Sequence, residues 1–124
     1  MDAYAWIEYL DGTARGMTIG NLIESPKHEI LTLSVTLAEV VSKFLRSGKD
    51  SQVAVTAMSR NSTVVPVTAE LAVLAGELHA EARKKQKDFG LADAFILATA
   101  KTRISRILTG DPHFKDLIEE TIML

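Results

Sequence analysis

Four carboxylates stand out for their surroundings and spread along the chain: Asp2, Glu39, Asp93 and Asp111. Carboxylate oxygens are the preferred ligands of hard divalent cations such as Mg2+ and Mn2+. Like-charged carboxylates brought side by side are unstable unless a cation or a proton lies between them. Four acids gathered at one place therefore make a metal site, and the question is what gathers them.

Each acid also has a plain structural explanation. Asp93 stands inside Leu-Ala-Asp-Ala-Phe-Ile-Leu-Ala-Thr-Ala, with no basic residue within three positions on either side. Burying such a carboxylate without a partner costs several kcal/mol, so it must neutralise or meet a cation. The alternative is an acid favoured by the positive end of a helix. Asp111 precedes Pro112, the pattern of a capping side chain followed by proline at the first helical position. Glu39 falls opposite the apolar stripe of Leu37, Val40, Val41 and Phe44, where it faces either solvent or an open groove. Asp2 lies beside the terminus, yet the apolar Tyr4-Ala5-Trp6-Ile7 that follows argues for docking into a core.

The elements that must position these acids alternate in type. Residues 28–35, 63–67, 104–109 and 121–124 are short apolar runs rich in β-branched residues and read as strands, with Met1–Ala5 as a strand stub. Between them, 36–46 carries a helical stripe ended by Ser47-Gly48, and 50–60 continues as a second helix. Residues 68–86 open on the capping candidate Thr68 and close on cations. Residues 91–103 are apolar almost all round, which predicts a buried helix, and a last helix starts at Pro112. Strands alternating with helices predict an α/β fold: a three-layer α/β/α sandwich around a mostly parallel sheet of four to five strands. Ligands of such sheets sit outside the carboxyl ends of the strands. Asp111 directly follows a strand, and Glu39 and Asp93 lie in the first turns of helices entered from that same edge.

The bulk composition limits the alternatives. At 124 residues the chain has the size of one domain, 1–124. It has no cysteine, which excludes a disulfide scaffold, a cysteine-ligated zinc site and a thiol nucleophile, and fits a reducing cytoplasm. No apolar run approaches the ~20 residues that span a bilayer, and no basic segment precedes an apolar one at the N-terminus, so neither a membrane anchor nor a signal peptide is expected. The net charge of −2 is not that of a typical nucleic-acid binder, although bound cations invert the local sign of an acidic site.

Taken in order, M-D-A-Y-A-W-I-E-Y-L, T-L-A-E-V, L-A-D-A-F-I-L-A-T-A and L-T-G-D-P-H-F resemble the PIN domain, and among its members the VapC-like toxins of toxin–antitoxin pairs in the archaeal style. The resemblance spans essentially the whole chain. It implies a five-stranded parallel sheet between helices and a Mg2+- or Mn2+-dependent endoribonuclease. It also implies a homodimer, and an antitoxin partner whose tail blocks the active groove. The family's acidic positions fall on Asp2, Glu39, Asp93 and Asp111, and its hydroxyl near the last acid on Thr109, which would orient a ligand or a water. Only Met1 precedes Asp2, where the family usually completes a strand, and Ala3 stands where Thr or Ser is common. By this resemblance Asp2, Asp93 and Asp111 bind one divalent ion, Glu39 shares it or helps hold a second, and metal-activated water attacks the phosphate in line.

RNA contacts must come from cations near the groove. Arg83, Lys84, Lys85 and Lys87 precede the Asp93 helix and either hold phosphates or simply complement a helix end. His28, His79 and His113 are scattered and form no metal pattern, with His79 expected on an exposed helix face. Trp6, Tyr4 and Tyr9 read as packing residues, and Leu71, Leu74, Ala75 and Leu78 as core or a dimer seam. A phosphoacceptor receiver domain is excluded, because no acid follows the third strand at Pro66-Val67-Thr68. A nuclease of RNA processing and a PIN-like module that binds RNA or protein without cleaving remain as alternatives.

Overall fold

The computed structural model describes residues 1–103, 107–109 and 121–123. The chain divides into two compact units, Met1–Val65 and Pro66–Leu124.

The first unit opens with two helices, α1 (Ala3–Asp11) and α2 (Ala14–Glu24), then β1 (Leu31–Leu33), α3 (Ser34–Arg46), α4 (Ser51–Asn61) and β2 (Thr63–Val65). The strand stub expected at Met1–Ala5 is instead the start of a helix. Asp2 caps α1 by accepting a hydrogen bond from the Ala5 backbone N at 2.9 Å, and Gly12 ends it with φ 69°, a left-handed conformation that glycine adopts without strain. Met1 itself lies against β1, its nitrogen donating to the Leu31 carbonyl at 2.8 Å. The run 28–35 is also shorter than expected as a strand, because Ser34 and Val35 already belong to α3.

β1 and β2 pair in parallel, Leu31 opposite Thr63 and Leu33 opposite Val65, and α3 and α4 form the crossover that parallel pairing requires. α3 ends as its Ser47-Gly48 signal predicts, Gly48 having φ 71°. Trp6, Val40, Phe44, Ala54 and Met58 form the core of this unit, with Met1, Ile7, Tyr9 and Leu37 packed at its margin. Tyr9 meets Trp6 edge to face with centroids 5.8 Å apart, a favoured aromatic geometry. The Trp6 indole Nε1 donates to the Thr32 hydroxyl at 3.0 Å, which lies 2.7 Å from the Ser62 hydroxyl. One polar chain thus ties α1, β1 and the entry to β2 inside the core.

The second unit contains α5 (Ala69–Ala82), α6 (Leu91–Thr102), β3 (Ile107–Thr109) and β4 (Thr121–Met123). Thr68 caps α5 as expected, its hydroxyl accepting from the Leu71 N at 3.1 Å. The helix stops at Ala82, and the basic residues 83–87 lie in the turns that join it to α6. α5 and α6 pack together through Leu71, Ala75, Ala94, Leu97 and Ala98, all buried. β3 and β4 pair in parallel, Ile107 opposite Thr121. The α/β class with parallel strand pairing is therefore realised in both units. No helix among the described residues is long and apolar enough to cross a membrane.

Candidate functional site

Asp2 is 6% exposed. One of its oxygens accepts the Ala5 N–H at the positive end of α1, an environment that favours the ionised carboxylate. The neighbouring Met1 ammonium is lowered to about 6 by burial, with the Asp2 charge working in the opposite direction. α1 packs against α3, which carries Glu39 in its second turn. Glu39 is exposed, as its place opposite the Val40 and Phe44 stripe predicts.

Asp93 occupies the third position of α6 and is half-buried. Its Oδ2 accepts the backbone N–H of Gly90 at 3.0 Å. The carboxylate thus has the helix-end stabilisation proposed for it on sequence grounds, and that same stabilisation keeps it ionised and fixes its direction. A charged, oriented carboxylate is what a metal ligand must be. Asp111 and His113 lie outside the described residues, as does the helix expected from Pro112. Thr109 ends β3.

Asp2 and Glu39 belong to the first unit and Asp93 to the second. Among the described residues no three His, Asp or Glu side chains come together. The donor chemistry still fits a hard divalent ion, because Asp2, Glu39 and Asp93 offer carboxylate oxygens and the chain has no thiol to favour a softer metal.

Arg83, Lys84, Lys85 and Lys87 are all exposed in the α5–α6 connection, and Lys84 pairs with Glu81 at 3.0 Å. His79 departs from expectation. It is half-buried, and its Nε2 lies 3.1 Å from the Phe89 carbonyl oxygen, so it braces the turn leading into α6 rather than facing solvent. Lys101 escaped the sequence reading although a signal was present. It follows Asp93 and Leu97 at four-residue steps, which places all three on one face of α6.

The PIN domain family model matches residues 1–119, a span that includes Asp2, Glu39, Asp93 and Asp111. No curated protein matches the chain. The order of motifs, the parallel strand pairing and the length of the match lead to one conclusion: this chain belongs to the PIN domain family.

Proposed function

We propose that the protein is a Mg2+- or Mn2+-dependent endoribonuclease, the toxin of a type II toxin–antitoxin pair, acting as a cytoplasmic homodimer restrained by an antitoxin protein. The family is one of nuclease-type hydrolases that act on RNA. The observation that carries the reading is the match over 1–119 with all four acids inside it.

In this reading Asp2, Asp93 and Asp111 hold the divalent ion and Glu39 shares it or helps hold a second, while Thr109 orients a ligand or a water. When bound, the ion supplies an acidified water and offsets charge on the scissile phosphate. Asp2 and Asp93 contribute fixed negative oxygens, each held by a backbone N–H at a helix start, so neither must reorganise when the ion arrives. No side chain forms a covalent bond to RNA. Arg83, Lys84, Lys85 and Lys87 draw the polyanion toward α6 through sequence-independent attraction.

The test is cleavage of a single-stranded oligoribonucleotide with Mn2+ by the wild type and by Asp93→Asn, alongside Mn2+ titration calorimetry. Loss of both cleavage and heat in the variant supports the assignment, and undiminished cleavage overturns it. The toxin role is tested by inducing the protein in a bacterial host. Growth arrest relieved by co-expressing the small protein encoded beside it is the expected result, and unimpaired growth rejects that role.

A further inference from the structure

The second unit contains a cavity of about 290 Å³ lined by Leu78, Glu81 and Ala82 of α5, by Lys85, Gln86 and Phe89 of the connection, and by Leu97 and Lys101 of α6. Its floor is apolar: Phe89 and Leu97 are buried and Leu78 is half-buried. Its walls carry two ammonium groups and one carboxamide. A space of this size is close to the lower range of small-ligand pockets, where apolar walls hold the ligand and a few polar groups orient it.

The charge around the cavity selects the ligand. Four of the five residues from 83 to 87 are cationic. The carboxylate of Glu81 already faces an opposite charge from Lys84. The rim formed by Lys85 and Lys101 is therefore positive within a chain whose net charge is −2. An anionic group joined to a flat apolar body matches both halves of the cavity. Position adds a second argument. Asp93, Leu97 and Lys101 share one face of α6, with Leu97 about 6 Å and Lys101 about 12 Å along the axis from Asp93 at 1.5 Å per residue.

We propose that this cavity receives one unpaired nucleotide of the RNA, its base on Leu78, Phe89 and Leu97 and its phosphate between Lys85 and Lys101. Gln86 offers a carboxamide donor and acceptor to the base edge. The inference rests on the RNA-cleaving reading for its substrate, but its site is separate from the metal-binding carboxylates. It makes the cavity a docking point for a single-stranded segment flanking the cleaved phosphate.

The experiment uses the full chain in EDTA, so that no cleavage occurs. Adenosine 5′-monophosphate, uridine 5′-monophosphate and inorganic phosphate are titrated while the amide and methyl NMR signals of Leu78, Phe89, Leu97 and Lys101 are followed. A short fluorescent oligoribonucleotide is bound to the wild type, to Lys85→Ala/Lys101→Gln and to the cavity-filling Ala82→Phe. Nucleotides are expected to shift the floor signals where phosphate alone does not. Both variants are expected to weaken oligoribonucleotide binding by about tenfold. The double variant should also flatten the dependence of log K on log salt by about 1.4, the value for two lost phosphate contacts to a single strand, whereas Ala82→Phe should leave that slope unchanged.

Equal shifts with inorganic phosphate alone would reduce the site to an anion contact and overturn the nucleotide assignment. Shifts from an acidic apolar peptide but none from nucleotides would overturn it in favour of a protein partner. Unshifted floor signals in a protein that still cleaves RNA with Mn2+ would reject the cavity and leave the nuclease reading intact. Lys85 and Lys101 are exposed, so their replacement tests binding without disturbing the core.

Discussion

The Gly90 backbone N–H donates to the Asp93 carboxylate at 3.0 Å, so the acid proposed as a metal ligand is also the residue that secures the start of α6. Asparagine retains an oxygen for that hydrogen bond and removes the charge. Asp93→Asn is therefore expected to change unfolding free energy by no more than about 1 kcal/mol. Metal-dependent cleavage should fall by more than the roughly 10–100-fold that loss of a supporting group costs. Denaturant melts and cleavage assays on the same preparation separate the two effects.

Asp2 divides in the same way. Asp2→Ala removes the acceptor for the Ala5 N–H and should destabilise the protein by about 1 kcal/mol. Asp2→Asn keeps an acceptor and should recover most of that loss while remaining as inactive as the alanine variant. Restored cleavage in Asp2→Asn would remove Asp2 from the proposed metal site.

A close approach between α1 and α2 gives a stability prediction independent of function. A Cβ on Gly16 would lie 2.1 Å from the Glu8 carbonyl oxygen, a backbone atom that cannot swing aside. Gly16→Ala is expected to destabilise by about 2–3 kcal/mol through this overpacking, although alanine is the better helix former. A higher melting temperature for the variant would contradict the packing of the two helices.

Two buried threonines should respond in opposite directions. Thr32 accepts the Trp6 indole N–H, so Thr32→Val leaves that donor unsatisfied and should cost about 1–3 kcal/mol. The fully buried Thr36 hydroxyl has no hydrogen-bond partner among the described residues. Thr36→Val replaces it with a methyl group of similar volume and should be neutral or stabilising by about 1 kcal/mol. Thermal unfolding of both variants under one condition checks the contrast.

Much of this protein is local in origin and was legible in the sequence. The Thr68 cap, the Ser47-Gly48 stop and the apolar stripe of α3 act through neighbours a few residues away. They gave α3, α4, α5 and α6 their places, within a turn at the ends. The spacing of Asp2, Glu39, Asp93 and Asp111 within their motifs is likewise a property of the sequence, and it led to the family.

The tertiary structure decided the rest, because contacts distant in sequence overrode local preference. Tyr4, Trp6 and Ile7 favour strands by type. They form α1 because the Asp2 cap and Gly12 bound a helix whose Trp6 face is buried against α3, with its indole reaching Thr32. His79 has the sequence surroundings of a surface residue, and only the fold of the α5–α6 connection brings the Phe89 carbonyl to its ring. The cavity is of the same kind. Lys85 and Lys101 are sixteen positions apart, and it took the packing of α5 on α6 to set both beside Phe89 and Leu97.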